Sequence, residues 1–242
     1  MRFRIFCDLC PTGDGRVTNE MALITAYNDI GSYEFTCARG HQFIATSQTL
    51  RFENLFDIGS HAILDGYFRE AVTSFAASLE RFFEFYVEVF SHQQGLDHLT
   101  YEKAWKLIRN QSERQYGAYV FAYLARNRKL PAVLSDDNVA VRNAVVHKGK
   151  IPSRAEALTF GQNVMDIVLP EIKELRATAD ESFRVVLSRS MHNSRKNLPP
   201  PTDNMWRTFG FPTVLGVSLS VDGNELEDRL ANLAMARASY WK

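Results

Sequence analysis

The sequence predicts a mainly α protein with a small β-rich subdomain at its N-terminus, and three observations carry that prediction. Apolar residues recur at three- and four-residue spacing from Tyr67 to His92, the mark of a helix that buries one face. All three cysteines, Cys7, Cys10 and Cys37, lie in an opening stretch of short extended segments and turns. The chain is 45% apolar and 12% aromatic, enough to fill a real core and to argue against wholesale disorder.

Each element follows from local chemistry. Arg2 to Phe6 is extended in character, Pro11 to Gly15 is turn chemistry, and Met21 to Tyr27 and Tyr33 to Cys37 read as further short strands, with a turn at Gly40. Helix begins near Leu50 and first stops near Gly66. In the long helix from Tyr67, Val72, Phe75, Leu79, Phe82, Tyr86 and Val89 line one face, while Glu80, Glu84 and Glu88 recur on another. Thr100 to Asn110 reads as a short helix capped by Thr100, and Glu113 to Arg126 as another. Ser135 caps a helix with Asp136 and Asp137 in its first turn, stopped by Gly149. The next starts at Pro152 and Ser153, is expected to kink at Pro170, and runs to about Ser190. Leu198 to Thr202 reads as an extended linker, Thr213 to Val221 as a strand, and Asn224 to Tyr240 as a helix with an Asn cap. The expected division is 1–48, 49–197 and a C-terminal extension, 198–242.

The N-terminal part carries a ligand pattern. Cys7-x-x-Cys10 and Cys37-x-x-x-His41 supply four ligands in two knuckles, the number and type that tetrahedral zinc takes in a closed, structural site. An odd number of thiols cannot pair completely into disulfides, and a β-rich segment this short is marginal without a staple. The alternative is a set of unrelated buried thiols beside a chance histidine.

Bulk charge narrows the partners. Lys+Arg and Asp+Glu are 28 each, so a broad nucleic-acid coat is not expected and any contact with RNA must be local. No apolar run reaches the length of a membrane-spanning helix, and the first residues lack the apolar core of a signal peptide. No membrane contact and a cytoplasmic location are the expectations.

The most informative stretch is Val139 to Pro152. Asn143 and His147 are four apart and share a helix face; the long side chain of Arg142 can lean to the same edge. An imidazole can move protons near neutral pH, a guanidinium can grip a phosphate with a bidentate fork, and an amide can position either. Read from the residues alone, the segment favours a structural role, Arg142 capping or pairing with an acidic residue such as Glu80 or Glu84 and His147 capping the helix end.

Here the sequence resembles the HEPN superfamily (higher eukaryotes and prokaryotes nucleotide-binding), whose RNA-cutting members carry an Arg, four to six residues, and a His, with a polar residue after the Arg. Arg142, Asn143 and His147 match that pattern, the following Lys148, Gly149 and Pro152 are similar to family usage, and Phe75 to Glu84 resembles the acidic, aromatic helix upstream of the motif. The resemblance spans about residues 50 to 190. It implies a HEPN-like helical bundle and a metal-independent endoribonuclease that uses the RNA 2′-hydroxyl as nucleophile. It also implies a homodimer that joins two motifs in one cleft, and a role as a toxin-like or anti-phage effector with an antitoxin or defence-system partner. Arg142, Asn143 and His147 are then catalytic, Glu80, Glu84 and Lys148 supporting, Cys7, Cys10, Cys37 and His41 ligands of structural zinc, and no catalytic metal is expected. The reading from another class is a non-catalytic zinc-containing helical module for dimerisation or interaction.

The rest is plainer. His61, His92, His98 and His192 have no ligand spacing, the Tyr116, Tyr119 and Tyr123 stripe reads as core, and no P-loop or nucleophile-elbow motif is present.

Overall fold

The computed structural model describes residues 2–7, 10, 22–193, 206–217, 223 and 225–240. The Pro11–Gly15 turn, the Leu198–Thr202 linker and the Asn224 cap lie outside them. The described residues form eight helices and five short strands, so the mainly α class with a small N-terminal β part holds.

Two small sheets open the chain. β1 (Arg2–Phe6) pairs antiparallel with β2 (Ala22–Ala26), Arg4 opposite Ile24. β3 (Ser32–Thr36) and β4 (Gln42–Ser47) form an antiparallel hairpin with Phe35 opposite Phe43. β4 was not foreseen as a strand. Its last five residues are all buried, so it lacks the alternation that marks a half-exposed strand.

The helical part is built around one buried element. α1 (Arg51–Leu64) and α2 (Phe68–Gln93) are its first helices, and Val72, Phe75, Phe82, Tyr86 and Val89 of α2 are fully buried, as the three-four spacing requires. The Phe75 ring lies 4.6 Å from the Phe56 ring and is wedged between Gly59 and Gly161; a Cβ at either glycine would come 2.7 Å from the ring. α3 (His98–Lys106), α4 (Ser112–Asn127), α5 (Asp136–Lys148), α6 (Arg154–Thr178) and α7 (Asp180–Asn193) complete the bundle.

Two helix ends differ from expectation. α3 is capped by Asp97, whose carboxylate accepts from the Thr100 amide at 3.0 Å, because a carboxylate three residues upstream satisfies the amide that Thr100 would have left orphaned. Pro170 sits inside α6 without ending it; the break falls at Ala179. Proline removes one backbone bond, and buried Ile167, Val168, Ile172 and Leu175 on both sides hold the helix together.

The C-terminal stretch returns to both parts. β5 (Trp206–Phe209) adds to β4 in parallel, Ala45 opposite Arg207, and α8 (Leu226–Tyr240) packs on α6 and α1. The expected strand from Thr213 is not formed over 213–217, and 218–221 lie outside the described residues. The reason is a pair of buried acidic side chains on α1. Glu53 accepts from Thr213 Oγ1 at 2.7 Å and from the Val217 amide at 3.1 Å, and Asp57 accepts from the Val214 amide at 2.7 Å. Buried Arg229 donates to the carbonyls of Val214 and Leu215. Side chains thus take the backbone groups that a strand would have paired with a neighbour.

Candidate functional site

The metal ligands come together from two knuckles. Cys7 follows β1, and the Cys10 amide turns back to the Cys7 carbonyl at 3.3 Å. Cys37 ends β3 and His41 precedes β4; the Gly40 amide donates to the Cys37 carbonyl at 2.8 Å and the Cys37 amide to the His41 carbonyl at 3.0 Å. The four ligand atoms lie within 4.8 Å of one another. His41 Nδ1 is 2.9, 3.4 and 3.7 Å from the sulfurs of Cys10, Cys37 and Cys7, and Cys10 Sγ is 3.6 Å from Cys37 Sγ. A zinc tetrahedron has edges of about 3.5–3.8 Å for such ligands. Two of the four distances fall within it, the Cys37–His41 edge is just below it at 3.4 Å, and the Cys10–His41 edge is shorter.

Electrostatics favours a cation there. All three cysteines are buried and free. Burial and the two neighbouring sulfurs push the Cys10 thiol up to about 12. At Cys37 burial pushes the same way, but the backbone amides of Arg39 and His41 outweigh it and bring the thiol down to about 6. Three crowded sulfurs cannot all be thiolates without a positive charge among them, and a bound metal supplies it. The donor set therefore fits a metal ion such as zinc.

The second site is on α5. Ser135 accepts from the Asn138 amide at its start, and Gly149, at φ 72°, lets the Lys150 amide reach the Ala144 carbonyl at 3.0 Å at its end, a left-handed stop that glycine takes without penalty. Only Val145 of this helix is fully buried, so its polar residues line an accessible edge. Arg142 Nη1 donates to Asn143 Oδ1 at 2.9 Å and lies 3.5 Å from His147 Nε2. Arg142 Nη2 donates to Glu80 Oε1 of α2 at 2.9 Å and to Ser112 Oγ at 3.3 Å. His147 is exposed.

Of the expected supporting residues, Glu80 meets Arg142. Glu84 instead pairs with Arg81 at 2.5 Å, one turn away along α2, and Lys148 is exposed beside His147. Two neighbours were not foreseen, Ser112 and Glu113 at the start of α4. The Glu113 carboxyl is held below its ordinary range, first by its own backbone amide and in smaller part by Arg142 and His147. Nothing in the sequence pairs residues 112–113 with 142–147; only the packing of α4 and α5 on the same helix, α2, does so.

His61, His92, Tyr119 and Tyr123 are held within the fold. Burial pushes His61 down to about 4, keeping it neutral, and His92 bonds Ser182 Oγ at 2.9 Å. Tyr119 and Tyr123 are core, and Tyr116 is partly exposed over Phe83. No described helix is long and apolar enough to cross a membrane. Compared with protein-family models, with curated proteins and with solved structures, the chain gives no match.

Proposed function

We propose that this chain is a metal-independent endoribonuclease of HEPN type, with Arg142, Asn143 and His147 at its centre and zinc as a structural ion held by Cys7, Cys10, Cys37 and His41. The observation that carries the reading is the 3.5 Å approach of Arg142 Nη1 to the exposed His147 Nε2, with the guanidinium held from the far side by Glu80.

The chemistry follows from those groups. His147 takes the proton of the ribose 2′-hydroxyl, the 2′ oxygen attacks phosphorus, and the 5′ oxygen of the next nucleotide leaves with the bonding pair. Arg142 faces the charge that grows on the phosphoryl oxygens. Asn143 and Glu80 fix the guanidinium so that it need not reorganise during the reaction. The leaving oxygen needs a proton, and a second copy of His147 supplies it when two chains join their motifs, which supports a homodimer. No metal is needed for these steps. A toxin-like or defence role, with an antitoxin or defence-system partner, follows from the resemblance alone.

A second reading has its own observation. The Arg142–Glu80 pair ties α5 to α2, which would suit a non-catalytic dimerisation or interaction module. The test is product chemistry. Purified protein incubated with a mixed single-stranded RNA in Mg²⁺-free buffer is expected to leave 2′,3′-cyclic phosphate ends. Intact RNA at high protein concentration overturns the cutting role and leaves the interaction module.

A further inference from the structure

A cavity of about 410 Å³ lies between the turn at residues 27–31, the junction of β4 with α1, and helices α2, α3 and α7, within the range of small-ligand sites. Most of its charged wall is already compensated. Arg81 pairs with Glu84 at 2.5 Å, Arg189 with Glu88 at 2.8 Å, His98 Nδ1 lies 3.4 Å from the same Glu88, and Arg51 pairs with Asp29. Two cations are left. Lys106 and Arg109 are exposed lining residues, and neither pairs with a carboxylate among the described residues. Tyr101 and Trp105, each only 6% exposed, also line the cavity and stack on one another at 5.9 Å, tilted by 18°.

α2 lines the cavity and also holds Arg142, and α4 bonds residues of both. In α2, Glu80, which holds Arg142, precedes Arg81 of the cavity wall. In α4, Ser112, which touches Arg142, stands three residues before Gln115. The Gln115 side chain accepts from Arg81 at 2.6 Å and donates to the Arg109 carbonyl at 2.7 Å. Gln115 thus joins two residues of the cavity wall, Arg81 and Arg109, from the helix whose first residue touches Arg142.

We infer that this cavity is a nucleotide-recognition subsite. It takes the nucleoside monophosphate unit next to the scissile phosphate of a single RNA strand, the phosphate meeting Lys106 and Arg109 and the base entering against the Tyr101–Trp105 wall. Three considerations converge on that ligand. Sequence-selective RNA recognition works on splayed single-strand bases held by aromatic side chains and edge hydrogen bonds. A chain without net charge needs its cations concentrated where the phosphate lies. Glu84, Glu88 and Glu102 line the same cavity and offer acceptors to exocyclic amines. The inference rests on the cutting role proposed for Arg142 and His147, and its test has a readout independent of cutting.

The test is calorimetric titration of the full chain with 5′-AMP, 5′-GMP, 5′-CMP and 5′-UMP, and with inorganic phosphate. At least one nucleotide is expected to bind at least tenfold more tightly than phosphate, and the Lys106→Ala/Arg109→Ala double variant to weaken it at least tenfold. Both residues are exposed, so the fold is not at stake. Binding of phosphate alone, binding of no nucleotide, or equal binding by the double variant overturns the subsite. The same proteins are run in RNA cleavage. Selective nucleotide binding without cleavage supports the cavity and removes the cutting role. Cleavage with the same KM and the same cut sites in wild type and double variant removes the cavity and leaves the cutting role.

Discussion

Arg142 and Glu80 meet across α5 and α2, Nη2 to Oε1 at 2.9 Å, with the two side chains 20% and 27% exposed. One guanidinium nitrogen is thereby committed to the carboxylate while the other turns toward Asn143 and His147. A pair this close to solvent is worth about 1 kcal/mol or less in stability. Its larger consequence is to fix where the Arg142 charge stands.

Glu80→Gln therefore separates position from stability. The variant is expected to lower kcat/KM for RNA cleavage by about ten- to a hundredfold, because a small misplacement of a charged group is costly in a transition state, while its melting temperature stays close to that of the parent. Loss of stability with full activity would make the pair a helix tie only.

Removing a metal ligand should act locally. Cys37→Ser is expected to abolish the stoichiometric zinc, one ion per chain, measured by elemental analysis, and to destabilise the N-terminal knuckles. The helical far-UV signal should persist, because the α2-centred core lies outside the cluster of Tyr33, Phe35 and Phe43 that packs with the cysteines. Zinc retained in full by the variant would contradict the four-ligand site.

The buried Asp57 gives a pH dependence. Burial, with Glu53 adding to it, raises its carboxyl well above the ordinary range, and the Val214 amide only partly opposes this. The folded chain thus keeps a proton that the unfolded chain releases near pH 4, and stability attributable to Asp57 falls as pH rises from there toward the folded value. Asp57→Asn keeps an acceptor for the Val214 amide without the charge. It is expected to raise the melting temperature at pH 8 and to have little effect near pH 4. An equal loss at both pH values would show that the charge is not what costs stability.

The proposed cleft needs two chains. Light scattering across a dilution series should return twice the 27.6 kDa chain mass, and a monomer at working concentration would leave the second proton transfer without its donor.

How much of this was readable from residues depends on how local the signal is. The α2 face, the Ser135 cap and the Gly149 stop are set by spacings within a few residues, and the structure has them. The two cysteine–histidine knuckles were legible for the same reason, and only their convergence needed the fold. Ser112 and Glu113 were not legible, since nothing near them in sequence signals a partner on α5. Thr213 to Val217 reads as a strand because its residues are β-prone and apolar, yet Glu53 and Asp57, some 160 positions upstream, take its amides.

The most direct measurement compares RNA cleavage by the wild type, Arg142→Ala and His147→Ala in Mg²⁺-free buffer, with each protein's fold verified by circular dichroism. Each substitution is expected to lower kcat by about a hundred- to ten-thousandfold and to remove the cyclic-phosphate ends. Cleavage at the parental rate by either variant would contradict the account.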